Sequence, residues 1–317
     1  MQTSAEIVMS PPDAIGVAVA PQGAALTRST QMRATARDYI SLAKPRIIVL
    51  LLITEVATMF IAARGVPSPG LLIWAAVGGA LASGGSGAIN CWYDRDIDRV
   101  MARTCSRPLP SGRIVPWQAL TFGISLIVAS VVIFAIAVNI LAAALALGGG
   151  LFYVFIYTML LKRRTPLNIV IGGAAGAFPP LVGWAAVQGN VAWPAFALFA
   201  VVFLWTPPHF WSLALLLRRD YRNASVPMLP GIIGTARTHR RILLYLLALI
   251  TASLLPGLML GIGYTVGAAV LGGGYLALAL WARAKASSHA AAVLFHYSLA
   301  YLALIFIVGA VTAVVIG

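Results

Sequence analysis

Residues 71–99 read LLIWAAVGGALASGGSGAINCWYDRDIDR. Through Tyr93 the stretch is apolar and long enough to cross a bilayer as a helix, and it then runs straight into Asp94, Asp96 and Asp98. Comparable apolar runs recur near 46–63, 116–137, 140–161, 168–187, 194–217, 242–263, 265–282 and 296–316. The 317 residues are 61% hydrophobic and only 9% charged. A soluble domain carries about a quarter of its residues as charges, so this composition excludes one. Backbone N–H and C=O groups cannot face lipid unpaired, and the spans must therefore be helices. The expected fold class is all-α: a polytopic transmembrane bundle of about nine helices.

Charge fixes its orientation. Of the 22 Lys and Arg residues, 21 fall in the N-terminal segment or in the connections after spans 2, 4, 6 and 8, and Arg64 alone falls on the other side. The positive-inside rule then places the N-terminus in the cytoplasm and the C-terminus on the far side. The same sorting accounts for the net charge of +14 without nucleic acid, because the basic residues are not gathered in one arm. Cys91 and Cys105 have no metal or redox spacing and read as free thiols. Residues 1–37 hold no span and read as a disordered tail ahead of one transmembrane domain at 38–317. The apolar piece Ala14–Ala20 is short and lacks a basic flank, so it fits a signal peptide poorly. Glu6 and Asp13 argue against a transit peptide, which favours a bacterial inner (plasma) membrane over a mitochondrial one.

Acids are scarce, and three of the eight lie within residues 94–98. Asn90, Asp94 and Asp98 recur every four residues and share one face if the helix continues. An amide oxygen and two carboxylates in a row suit a hard cation, with Mg²⁺ and a phosphate co-ligand the usual pairing. Asp96 points away and reads as a solvated or salt-bridged residue. Arg95, Arg99, Arg103 and Arg107 form a second four-residue register. Their forks match phosphate, although service to topology alone is the other reading. The sorting of spans also brings Lys162 and Asp220 to the face that holds Asp94 and Asp98. Two ionisable residues sit inside spans, Glu55 and His209. Glu55 reads as a buried neutral acid or a packing contact. Pro207-Pro208 predict a broken helix lining a cavity, with His209 either a ligand there or a neutral ring bonded to a neighbouring helix.

At this point a family resemblance enters. Asn90-xxx-Asp94-xxx-Asp98 resembles the first aspartate-rich motif of the UbiA-type intramembrane prenyltransferases. Asp94-Arg-Asp-Ile-Asp-Arg through Arg107-Pro-Leu-Pro-Ser-Gly is similar to one branch, the protohaem IX farnesyltransferases or haem O synthases. Lys44-Pro45-Arg46, Tyr157-Thr through Asn168, Trp205-Thr-Pro-Pro-His209-Phe-Trp and Asp220-Tyr-Arg-Asn through Pro230 are similar to that branch as well. The likeness runs from about residue 38 to the C-terminus.

The resemblance implies transfer of a farnesyl group from farnesyl diphosphate to a vinyl group of haem b, with addition of water, giving haem O for terminal oxidase assembly. It implies Mg²⁺ on Asp94 and Asp98, with Asn90 and Asp220 assisting. It casts Lys162, Arg103 and Arg107 as cations for the departing diphosphate, and Arg163, Tyr157 and Asn168 as substrate contacts. It suggests His209 as a haem contact, with haem b a substrate and not a resident cofactor. A haem A synthase or oxidase assembly factors would be the protein partners. Ala224 stands four residues after Asp220, where the wider superfamily carries a second aspartate, and this leaves one or two metal ions open. Two other readings compete: the same apparatus with a quinone or chlorin precursor as acceptor, and an ion or haem transporter. Against the transporter, the polar residues gather at one face and not at the midplane.

Overall fold

The computed structural model describes residues 35–316. The expected tail lies outside the described residues except for its last three, and those already open a helix. Thr35 caps α1 (Ala36–Ala43) in a reciprocal box with Asp38. Asp38 also accepts from Arg113 Nε at 2.9 Å, which ties α1 to the loop before the third span.

After Lys44 the chain enters α2 (Pro45–Ala63), with proline at the first position, where no N–H is needed. Then come α3 (Pro69–Tyr93), α4 (Arg95–Val100), α5 (Pro116–Ala137) and α6 (Ile140–Leu151), which continues as a π-helix over Phe152–Leu161. The rest is α7 (Asn168–Gln188), α8 (Trp193–Leu216), the short α9 (Arg218–Asn223) and α10 (Leu229–Ile233), then α11 (Thr235–Leu254), α12 (Gly257–Lys285) and α13 (Ser288–Ile316). Among the described residues there is no strand. Eight long helices are apolar enough to cross a membrane. The ninth, α11, has 20 residues, about 30 Å of helix, and carries Arg237, Arg240 and Arg241 in its first two turns.

The first six expected spans fall within two residues of the observed helices. The last three need correction. The seventh was expected at 242–263 and the eighth at 265–282, but the turn between them lies at Leu255-Pro256. Hydropathy has no marker there, because the sequence stays apolar on both sides of Pro256. The glycine-rich piece that looked like the turn instead bends α12 after its first turn, at Gly261 with φ of 78°. The ninth span was expected at 296–316, and its helix starts earlier, at Ser288. A further correction concerns α8, which runs unbroken through Pro207-Pro208. Thr206 Oγ1 donates to Val202 O and Ser212 Oγ to Pro208 O on either side of the prolines.

α13 packs against both α2 and α8, so the last helix returns to the first. α7 is the hub, touching α2, α6, α8 and the π-helix. Small residues permit the tightest approaches. A Cβ on Gly85 of α3 would lie 2.6 Å from Gly123 O of α5, and one on Gly123 would lie 2.9 Å from Gly85 O. Glu55 is buried in α2, with its carboxyl against Gly79 of α3 and its carbonyl against Gly183 of α7. Its carboxyl packs between helices without a hydrogen bond, and its Oε1 has no partner among the described residues.

The glycine pair gives a direct test. Gly123→Ala should destabilise the detergent-solubilised protein by about 1–3 kcal/mol, since backbone must move to admit the methyl group. Gly273→Ala, where nothing lies within 4 Å, should leave thermal unfolding unchanged or raised. Equal midpoints for the two variants would show that the α3–α5 contact is not as close as described.

Candidate active site

Asp94 ends α3 with φ of −86° and ψ of 11°, so the helix expected to run on through Asp98 is interrupted at the aspartate itself. The register nevertheless survives. Asp94 N still bonds Asn90 O at 2.9 Å, and Asp98 N bonds Asp94 O at 2.8 Å. The two carboxylates are therefore stacked one turn apart, and both are buried, Asp94 at 1% exposure and Asp98 at 4%.

Buried carboxylates need partners, and here those partners come from distant segments. Asp94 Oδ2 accepts from Lys162 Nζ at 2.5 Å and from Asn90 Nδ2 at 2.8 Å. Asp98 Oδ2 accepts from Arg107 Nη1 at 2.8 Å. Asn90 Nδ2 also donates to Thr158 Oγ1 at 3.1 Å, and Asn90 Oδ1 accepts from Lys44 Nζ at 2.5 Å. Arg163 Nη2 also reaches Asp94 Oδ1 at 3.5 Å, so four cations converge on a ladder of one amide and two carboxylates.

Lys44 is the functional residue that the sequence reading missed. It had been counted for topology and as a fit to the branch pattern, and had no place in the expected site. It occupies the left-handed region, with φ of 58° and ψ of 59°, between α1 and α2. A non-glycine residue held there is strained, and such strain clusters at sites where position matters. A signal was available: the chain has only three lysines, Lys44, Lys162 and Lys285, and Lys44 stands directly before a proline at a membrane boundary.

The π-helix was not legible either. Its wide turn gives Lys162 N a bond to Tyr157 O, five residues back, at 2.9 Å. It brings Tyr153, Tyr157, Thr158 and Lys162 to the ladder side of the bundle, with the two tyrosine rings 5.4 Å apart. Such turns are rare and recur at functional sites. Tyr157 is seated closely enough on Gly172 that a Cβ there would collide with its ring.

The other expected residues divide. Asn168 is buried and donates to Thr165 O at 2.7 Å and Lys162 O at 3.3 Å, so it holds the loop that carries Lys162, while its Oδ1 has no partner. Arg163 pairs chiefly with Asp96, to which both of its Nη atoms donate at 2.7 Å, while Nη2 also donates to Tyr93 O and the guanidinium lies 4.8 Å above the Tyr93 ring. The resulting bond set holds the exposed Asp96 carboxyl below the usual carboxylate range. Arg103 is exposed and makes no hydrogen bond among the described residues. Asp220 lies on α9, whose Tyr221 packs in one cluster with Ile97, Met101, Tyr157 and Ile169, so this loop does meet the site. The Asp220 side chain, however, forms no ion pair among the described residues. Among the described residues no group of three Asp, Glu, His or Cys stands close enough together to hold a metal, and Asp220 makes no contact with Asp94 or Asp98.

His209 is buried within the unbroken α8. Its ring stacks between Trp205, at 4.3 Å, and Phe295, at 4.8 Å, and its Nδ1 is 2.6 Å from Ser298 Oγ. Both faces of the ring are covered, which is the geometry of a ring bonded to a neighbouring helix.

In kind, the donors fit a hard divalent cation: two carboxylates one turn apart with an amide oxygen on the same face. The converging cations fit an anionic co-ligand such as a phosphate. The sequence profile of the UbiA prenyltransferase family matches residues 50–313. The chain belongs to this family. It is 52% identical over 281 residues to the protoheme IX farnesyltransferase of Roseiflexus sp. (strain RS-1), covering 88% of this chain and 53% of that one. It is 50% identical over 289 residues to the protoheme IX farnesyltransferase of Frankia alni, covering 90% of this chain and all of that one. The chain spans about half the length of the Roseiflexus and Chloroflexus relatives it matches and the full length of the Frankia ones. Among solved structures it resembles a digeranylgeranylglyceryl phosphate synthase with a TM-score of 0.70 at 18% identity, covering 88% of this chain and 98% of that one. A UbiA homologue from Archaeoglobus fulgidus, bound to DMAPP and Mg²⁺, superposes with a TM-score of 0.63 at 18% identity, covering 86% of this chain and 98% of that one. The fold is thus that of the family, and the chain is a multi-pass membrane protein.

The Asp96–Arg163 tie has a pH signature. The Asp96 pKa is lowered in the folded state, so the tie is intact above the usual carboxylate range and is lost as pH falls below that range through the lowered pKa. Asp96 is largely exposed, and the tie contributes no more than about 1 kcal/mol. Asp96→Asn should raise amide exchange across residues 95–104 by no more than about fivefold at neutral pH. Wild type, corrected for intrinsic exchange, should keep its protection down to about pH 4 and approach the variant only below it. An exchange pattern unaffected by both the substitution and acid would show that the tie does not hold α4.

Proposed function

We propose that this chain transfers the farnesyl group of farnesyl diphosphate to a vinyl group of haem b, with addition of water, to give haem O, in a bacterial plasma membrane. The observation that carries the reading is the buried Asn90-Asp94-Asp98 ladder ringed by Lys44, Arg107 and Lys162 at the basic face of an apolar bundle. The half-identical relatives named protoheme IX farnesyltransferase support the choice of acceptor.

In this reading the C1–O bond of farnesyl diphosphate breaks and its electron pair leaves with the diphosphate. C1 bonds the terminal vinyl carbon, and water adds to the inner carbon and loses a proton. Asp94, Asp98 and the Asn90 oxygen would hold Mg²⁺, which would supply neutralisation of the charge that develops on the leaving group. Lys162, Arg107 and Lys44 would bind oxygens of the diphosphate from the same ladder. Such preorganised cations act where charge develops, in a site that excludes water. The faces of Tyr153 and Tyr157 flank the allylic carbon, where an electron-rich ring stabilises positive charge. Asn168 is a positioning residue for Lys162. Asp220, Arg103 and Arg222 lie at the rim, suited to the outer phosphate.

Purified protein with Mg²⁺, haem b and farnesyl diphosphate should yield haem carrying a hydroxyfarnesyl unit by mass spectrometry. Asp94→Ala and Asp98→Ala should each lower turnover by at least about 100-fold. Lys44→Ala should raise the farnesyl diphosphate KM by about tenfold or more, a cost of about 1.4 kcal/mol. Diphosphate release with a different acceptor would keep the prenyl transfer and discard haem. Full turnover by the aspartate variants would sink the site.

A further inference from the structure

A groove with a cavity volume of about 530 Å³ lies along α12 and α13, lined by Leu278, His289, Ala292, Val293, His296 and Tyr297. No part of the transfer site described above touches it. His289 and His296 are two helical turns apart on one face of α13, about 10 Å along the axis. Both are exposed. Ala292 and Ala300, four residues to either side of His296, keep that face shallow and flat. Most of the wall is apolar, as suits a surface turned to lipid.

His296 is set up as a metal ligand. Its Nδ1 lies 2.8 Å from Ala292 O. A carbonyl can only accept, so Nδ1 donates there, and Nε2 is the nitrogen left to face outward. A ring nitrogen anchored to a backbone carbonyl, with the other presented outward, is the arrangement that orients histidine ligands in metal sites. Beyond this lining, α12 closes at its cytoplasmic end with Arg283 and Lys285 in its last turn, both exposed. His289 is the second residue of α13 and meets the Trp281 ring edge-on at 6.4 Å.

We propose that this groove docks haem b from the cytoplasmic leaflet, with His296 Nε2 as an axial ligand of the iron and the propionates directed to Arg283 and Lys285. The match is to three properties of haem at once. It is flat and apolar, its iron accepts an axial nitrogen, and its two carboxylates belong at the water interface beside cations. The inference rests on haem b being the substrate. It adds a docking position distinct from the transfer site, because Phe295 and Ser298 turn to the opposite side of α13, against His209. Haem is held at the bundle surface before it enters or after it leaves.

The test uses the full chain in lipid nanodiscs, titrated with haem b and no farnesyl diphosphate. Reduced wild type should show an iron–histidine stretching band by resonance Raman. His296→Ala should lose the band and bind haem at least tenfold more weakly. Added imidazole should restore the band in His296→Gly, which separates ligation from any effect on folding. Arg283→Glu with Lys285→Glu should weaken binding and keep the band. A band that persists in His296→Ala, or that vanishes only in His209→Ala or His289→Ala, overturns the docking site. Haem O formation by wild type is scored separately. If it proceeds while the band persists in His296→Ala, the docking inference fails and the acceptor stands; if wild type neither binds nor converts haem, both fail.

Discussion

Asp94 is a carboxylate with almost no access to water, at the end of a membrane helix. Taking such a group out of water costs several kcal/mol, and only well-placed partners offset it. One partner, Asn90, stands one turn below in the same helix; the others arrive from elsewhere, Lys162 and Arg163 from beyond the π-helix and Lys44 through that same asparagine. The constraint propagates outward. Lys162 must be delivered by a loop, and Asn168 holds that loop. Lys44 must leave α1 in a left-handed turn, and α1 must be fixed, by its capping box and by Arg113. Much of the basic face can be read as support for one buried charge.

That charge is also why the bundle needs its close helix contacts. A site built from α2, α3 and the π-helix tolerates little drift between them, and side-chain packing in lipid has no hydrophobic drive behind it. Gly85 against Gly123 and Glu55 between Gly79 and Gly183 fix the approach of α3 to α5 and of α2 to α3 and α7. Glu55 packs between these helices with its Oε1 unpartnered among the described residues.

The sequence made the spans legible wherever an apolar run ends in charge. Tyr93 gives way to Asp94, and Leu161 to Lys162, and there the expected ends match the observed ones. Around Pro256 no charge marks the turn, and the expected boundary slid to the glycines nearby. Pro207-Pro208 misled in the other direction: α8 packs against α7, α11 and α13 and stays helical through them. Of the site, the Asn90-Asp94-Asp98 face followed from spacing. The pairing of Arg163 with Asp96 and the arrival of Lys44 did not, because both depend on how segments far apart in sequence meet. Asp220 was brought to the right face by topology, yet proximity of loops did not amount to contact with the carboxylates.

The π-helix between Phe152 and Leu161 packs more residues into its length than an α-helix of the same rise would. Loss of one residue there would relax the wide turn toward ordinary α geometry and leave every span long enough for the bilayer. It would also end the bond from Lys162 N to Tyr157 O, which spaces Tyr157 and Thr158 from Lys162 beside the ladder. Hydropathy would register no change, yet the side chains around Asp94 would be spaced differently. That spacing is a length the membrane does not measure.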